Sequence, residues 1–327
     1  MKTEDDIVAL SRRLIERGSI SFSGAARLFD PVTRDGAYML YAWCRHCDDV
    51  IDDQELGFAR GGTAPTRDQR QASLDRLERQ TREALDGVAT EPVFVALQRV
   101  VQRHEIPHMH PMELIEGFRM DVEGVHHATL HDTLTYCYHV AGVVGVMMAM
   151  IMGARGTDAL NRAADLGIAF QLTNIARDAV ADAEVGRVYL PGAWLAEAGL
   201  DGADLADPRH RDALAGVVIR LLNVADTYYA SAARGIPYLP VRSAWAVASA
   251  RNVYRDIGGV IRSRGSAAWD TRARVGTAGK LAGVTRGLGR ALLSRIAAHG
   301  SSISRQGLWT HPGFERHTGT PGDQTSG

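Results

Sequence analysis

The sequence predicts an all-α protein. Apolar residues recur at three- and four-residue spacing along most of the 327-residue chain, strand-like alternation is hard to find, and Gly, Pro and polar clusters break the periodic stretches at helical lengths. Helices are expected near residues 4–17, 34–53, 70–86, 91–104, 111–124, 132–153, 158–182, 191–197, 209–233, 240–264 and 278–298. No internal repeat and no dividing linker is visible, so residues 1–299 are expected to form a single helical domain.

In chain order, the N-terminus MKTEDDIVAL is acidic, unlike the basic start of a secretory signal. Segment 36–53, GAYMLYAWCRHCDDVIDD, begins apolar and aromatic, as a buried helix does, and ends in carboxylates. Residues 57–70, GFARGGTAPTRDQR, predict a flexible loop. The longest apolar run, Val140 to Ala154, is shorter than the ~20 residues a membrane span requires and predicts a helix buried on all sides. Its Gly142 and Gly145 either open room beside the helix or allow close packing. Residues 201–212 form a second polar connection. From residue 300 to 327 periodicity is lost, and a disordered tail is expected.

Composition narrows the function. Apolar residues make up 45% and charged residues 23%, ordinary for a globular protein. A net charge of −1 supplies no global field for nucleic acid, so no nucleic-acid partner is expected. Lysine occurs only at Lys2 and Lys280, and arginine otherwise carries the positive charge. Cys44, Cys47 and Cys137 are too few for a disulfide framework and point to a reducing compartment.

Two acidic helical stripes carry the chemistry. At roughly 100° per residue, Tyr41, Arg45, Asp48 and Asp52 share an arc of about 60°. Like charges spaced i, i+4 cost roughly 0.2–0.5 kcal/mol, so a cation should offset them. Hard divalent ions favour carboxylate oxygen and share their coordination with phosphates. Asp49 and Asp53 flank this stripe. Downstream, Gln171, Asn174, Asp178 and Asp182 project into about 80° of a mainly apolar helix, with Arg177 beside them. A polar stripe on a buried helix must find partners, and metal plus phosphate fits this mixture. Such ions would stabilise a diphosphate leaving group, and the allylic cation left behind survives only in a dry, apolar pocket.

Five blocks in order, SFSGAARLF (21–29), YAWCRHCDDVIDD (41–53), GFRMDVEG (117–124), YCYHVAGVVG (136–145) and FQLTNIARDAVADAEVGRVYLP (170–191), resemble the squalene/phytoene synthase family, and the likeness continues through SAWAVASARNVYRDIG (243–258). The resemblance covers about residues 5 to 295 and is strongest to its bacterial phytoene-forming branch. It implies an isoprenoid synthase fold around a deep central cavity. It implies head-to-head condensation of two geranylgeranyl diphosphates in carotenoid biosynthesis, with magnesium as cofactor and manganese as the alternative ion. It assigns metal binding to Asp48, Asp52, Asn174 and Asp178, supported by Asp49 and Asp182. Asp48, Asp52, Asp178, Asp182 and Tyr41 would be catalytic. Diphosphate contacts would come from Ser19, Ser21, Tyr41, Arg45, Gln171, Arg177 and Tyr254, and Tyr136, Val140 and Val144 would line the hydrocarbon channel. Tyr189 and Asp121 would sit near its mouth.

The family often has Arg-Tyr where this chain has His126-His127, a pair that predicts a surface turn. An amphiphilic substrate and a hydrocarbon product imply a cytoplasmic enzyme in peripheral contact with the inner face of the membrane, associated with downstream carotenoid enzymes. The alternatives are squalene or dehydrosqualene synthesis from farnesyl diphosphate, a cyclase or head-to-tail synthase, and a non-catalytic assembly protein of the same fold.

Overall fold

The computed structural model describes residues 4–18, 24, 26–52, 54–55, 58–59, 65–296 and 304–312. Ser19, Ser21 and Asp53 lie outside the described residues. Helices α1 (Glu4–Gly18), α2 (Pro31–Ile51), α3 (Arg67–Leu85), α4 (Pro92–His104) and α5 (Met109–Glu123) form the first half. The second half begins with α6 (Leu130–Cys137), a π-turn (Tyr138–Gly142) and α7 (Val143–Ile151), which run on as one rod. It continues with α8 (Thr157–Glu184), α9 (Gly192–Glu197), α10 (Arg211–Ala232), α11 (Val241–Arg264) and α12 (Thr277–Ile296).

Local chemistry sets the helix starts. Asp30 caps α2, its carboxylate accepting from the amides of Val32 and Thr33 at 3.1 Å each, with Pro31 in the first turn. Thr66 with Gln69 and Thr129 with Asp132 make capping boxes for α3 and α6. Two departures from the sequence expectation are local. Within the expected loop 57–70, Phe58–Ala59 pairs antiparallel with Gln54–Glu55 as a short hairpin, β1 and β2. The apolar rod carries a π-turn, an i→i+5 irregularity that periodicity does not reveal.

The longest helix, α8, packs against the π-turn, α7, α10 and α11, whereas α2 packs against α1, α3, α4 and α7. The glycines of the rod serve that packing. A Cβ at Gly145 would collide with the Ala163 carbonyl, and one at Gly142 would meet Tyr138 and Ile168. On α8, a Cβ at Gly167 would meet the Ala141 carbonyl. These glycines bring two backbones together and do not open room.

The rod spans 22 residues and is apolar enough to cross a membrane by length and composition, but 67% of its most apolar window is buried inside the protein. It is not buried on all sides: Val140, Ala141, Val144, Gly145 and Met148 keep partial exposure along one face. Cys44, Cys47 and Cys137 are free thiols, the last two buried. The chain beyond residue 299 also departs from expectation, because residues 304–312 lie packed on the helices and Trp309 is buried.

Candidate functional site

Both acidic stripes stand where the helical wheel puts them. On α2, Tyr41, Arg45, Asp48 and Asp52 are half-buried, while Ala42, Trp43 and Cys47 are buried against the core. On α8, Gln171, Asn174, Asp178 and Asp182 are half-buried, while Leu172, Thr173, Ile175 and Ala176 are buried. On α2 partial exposure extends beyond the stripe to Cys44, His46, Asp49 and Val50, so contacts rather than exposure show that the two stripes share a site.

Direct contacts join the stripes. Arg187, just past α8, places Nη2 2.6 Å from Asp52 Oδ1 on α2. Asp121 of α5 stands between them and accepts from Tyr189 at 2.9 Å and from Tyr136 at 3.1 Å. Its charge is felt by Asp48 on one side and Asp182 on the other. The two tyrosine rings stack 4.7 Å apart. Behind them lies His127, 3% exposed and edge-on to Tyr136 at 5.2 Å. The surface-turn expectation therefore holds for exposed His126 only. Burial lowers the pKa of His127 and favours the neutral ring.

Arginines clamp the carboxylates. Arg45 reaches Asp48 at 2.9 Å and Asp49 at 2.7 Å. Arg177 and Arg272 both fork onto Asp178, with Nη2 to Oδ2 distances of 2.5 Å and 3.0 Å. Burial pushes Asp178 up, but these two guanidiniums outweigh it and hold the carboxyl below its ordinary range. The remaining carboxylates are short of compensation. Burial, reinforced by Asp178 and Asp121, pushes Asp182 up to about 7 against Arg187 and Arg177. Burial, with Asp52, Asp49 and Asp121, pushes Asp48 up to about 6 against Arg45. Asp121 is pushed up to about 6 by burial despite its two tyrosine bonds.

A divalent cation fits this donor set. Every candidate ligand is a hard oxygen, Asn174 Oδ1 is buried with no partner among the described residues, and the raised carboxylates are those an added positive charge would relieve. Among the described residues no three His, Cys, Asp or Glu side chains converge closely enough to hold an ion by themselves. An ion here would draw further oxygens from substrate and water, as magnesium does in phosphate sites.

Gln171 accepts from Asn174 Nδ2 at 3.3 Å. Tyr254 stacks on Phe170 at 4.2 Å and lies within electrostatic reach of Arg177. Burial raises the pKa of Tyr41 and keeps its hydroxyl protonated. Val140 and Val144 sit on the half-buried face of the rod. Tyr136 differs from its expected place: its hydroxyl is tied to Asp121, at the acidic end. Sequence reasoning missed Arg187 and Arg272. Arg187 lies inside the 170–191 block, five residues past Asp182, so spacing could have raised it. Arg272, in the connection between α11 and α12, carries no such signal.

Comparison with known proteins gives the site its context. The family model for squalene/phytoene synthase matches residues 15–279. The chain is 51% identical to the 15-cis-phytoene synthase of Enterobacter agglomerans over 298 residues, 91% of this chain and 100% of that one. It is 50% identical to the 15-cis-phytoene synthase of Pantoea ananas over 297 residues, 90% of this chain and 94% of that one. A dehydrosqualene synthase crystal structure superposes with a TM-score of 0.77 at 27% identity, covering 89% of this chain and 98% of that one. A squalene synthase from Alicyclobacillus acidocaldarius gives 0.69 at 27% identity, covering 79% and 94%. With an isoprenoid synthase fold and both acidic stripes on one cleft, the chain belongs to the squalene/phytoene synthase family.

Proposed function

We propose that this protein is a prenyltransferase that joins two molecules of geranylgeranyl diphosphate head to head, through prephytoene diphosphate, into phytoene for carotenoid biosynthesis. The observation that carries this reading is the pair of carboxylate stripes on α2 and α8, bridged by Arg187 and Asp52 at 2.6 Å. Support comes from relatives at about half identity named 15-cis-phytoene synthase.

Magnesium, or manganese in its place, would be held by Asp48, Asp52, Asn174, Asp178 and Asp182, with Asp49 in support. Bound there, it would supply Lewis-acid stabilisation of the departing diphosphate. The chain's own groups do the rest. Arg45, Arg177, Arg187 and Arg272 present forks that match phosphate oxygens. Tyr41, Gln171 and Tyr254 lie along the same cleft to orient the diphosphate. Tyr136 and Tyr189 hold Asp121 in place at the acidic end. Val140, Ala141, Val144 and Met148 offer an apolar wall along which a carbocation meets few nucleophiles.

One incubation tests the reading: purified protein with Mg²⁺ and either farnesyl or geranylgeranyl diphosphate, products identified by mass spectrometry. A C40 product from the C20 substrate is expected. A C30 product from the C15 substrate alone would favour the dehydrosqualene reading suggested by the superposed structure, and no condensation product from either would sink both. A hydrocarbon product also leads us to expect a cytoplasmic protein at the inner membrane face, handing phytoene to the next carotenoid enzyme. Recovery wholly in the soluble fraction of lysed cells would remove that expectation.

A further inference from the structure

We propose that Arg305–His311 is a working part of the enzyme: a strap that holds the π-turn from behind and so sets the hydrocarbon wall carried by Val140 and Val144. This rests on the prenyl diphosphate chemistry proposed above. The strap lies beyond residue 279, where the family match ends.

Its contacts are specific and reach α5, α6, α8 and α10. Arg305 grips Asp165 of α8, a carboxylate with 0% exposure, through Nη2 at 2.6 Å and Nε at 2.9 Å. The Ser231 hydroxyl of α10 donates to the same carboxylate. Arg305 also folds the strap onto itself, donating to Thr310 Oγ1 at 2.9 Å and the Trp309 carbonyl at 3.0 Å. The Trp309 amide donates to the Tyr228 hydroxyl of α10 at 2.9 Å, and its indole Nε1 to Thr135 Oγ1 of α6 at 3.1 Å. His311 Nε2 lies 2.9 Å from Glu113 of α5, whose other oxygen lies 2.8 Å from His139 Nδ1 in the π-turn.

These contacts converge on Tyr138, the first residue of the π-turn. Its buried ring packs against Trp309 and stacks on His311, with both centroids at 4.8 Å. Two residues on, Val140 points almost the opposite way, because two steps cover roughly half of the wider i→i+5 turn. Strap and α5 therefore hold the same turn from different sides, and where Val140 rests sets the wall proposed above. A π-turn is an irregularity that surrounding structure must hold. Here α5 also leaves little slack: a Cβ at Gly117 would come within 2.8 Å of Val140 Cγ1. If the turn relaxes, the valines move and the wall changes depth. Trp309 and Arg305 act as positioning residues through the turn, without touching substrate.

The test compares full-length wild type with Trp309→Ala, Trp309→Phe and Arg305→Ala. The readout is the ratio of kcat/KM for geranylgeranyl over farnesyl diphosphate, measured in competition, with circular dichroism and melting temperature alongside. A wall displaced by about a methyl group changes discrimination by roughly tenfold. A shift of that size is expected in Trp309→Ala, with Trp309→Phe largely restored. If Arg305→Ala fails to fold, the tryptophan pair still decides. A lower melting temperature with an unchanged ratio reduces the strap to a stabilising element and overturns the proposal. Unchanged ratio and unchanged melting temperature overturn it too. If wild type turns over neither substrate, the proposed function fails by itself. Hydrogen exchange at residues 138–144 then tests the strap separately, with faster exchange in Trp309→Ala expected and equal exchange refuting it.

Discussion

The acidic cleft and the strap both bury carboxylates, and they treat them in opposite ways. In the cleft, Asp48, Asp121 and Asp182 are all raised, to about 6, 6 and 7. Under the strap, Asp165 receives two donors from one guanidinium, and Glu113, against the opposing pull of burial, is lowered to about 2 by hydrogen bonds to His139 and His311. Asp178, clamped by Arg177 and Arg272, is the exception within the cleft; the other cleft carboxylates are left short of compensation and await something that binds. The contrast separates a functional site from a structural one where burial alone would not.

The largest effect that could break this comparison is catalytic. Asp48→Asn and Asp178→Asn should each lower turnover of geranylgeranyl diphosphate by more than a hundredfold, since even outer partners of a metal site are typically worth 10–100-fold. Far-UV circular dichroism should not change. Near-wild-type turnover in both would remove these residues from the chemistry. Arg305→Ala should act first on the fold. It strands a fully buried carboxylate, at a cost of about 3–5 kcal/mol, so the melting temperature should fall by roughly 10 °C. A fall of 1 °C or less would mean the strap is not docked in solution.

Ligand and pH sharpen the contrast further. Mg²⁺ with inorganic diphosphate, at a hundred times its Kd, should stabilise the fold by about 2.7 kcal/mol. In Asp182→Asn that gain should shrink, and a gain equal to wild type would place the ligand elsewhere. The smallest effect is a pair of opposite pH slopes. A raised carboxylate contributes stability below its unfolded pKa and loses it as pH rises through the folded value. In metal-free protein the cleft should therefore weaken the fold between about pH 4 and 7. Asp182→Asn should flatten that slope and raise the melting temperature at pH 8. Glu113, lowered from 4.5 to about 2, contributes above pH 4.5 and loses that contribution as pH falls toward 2. Glu113→Gln should remove on the order of 2 kcal/mol near neutral pH and little below pH 2. Identical pH profiles in both variants and wild type would dissolve the distinction.

Much of this was legible in the sequence, for local reasons. Helix positions followed from apolar spacing and from the Gly, Pro and polar breaks between periodic stretches, while the caps Asp30, Thr66 and Thr129 emerged only with the structure. The stripes Tyr41–Arg45–Asp48–Asp52 and Gln171–Asn174–Asp178–Asp182 followed from helical geometry, because residues on one helix share a face whatever the helix packs against. The misses were of another kind. His127 read as a surface residue because polarity suggests exposure, and only the packing of Tyr136 and Tyr189 shows the ring between elements. Residues 304–312 read as tail because an irregular strap has no period. Gly142 and Gly145 looked compatible with a cavity or a close contact, and only the position of α8 decided.

The sequence by itself determined which residues share a helix face and that two of those faces cluster carboxylate and amide oxygens, since both depend on a repeat of a few residues. Tertiary structure alone decided that the two faces meet, that Arg187 and Arg272 complete them, and that Arg305 neutralises Asp165 from 140 residues away. Such pairings depend on where distant segments land, and no local period encodes a contact between groups brought together only by packing.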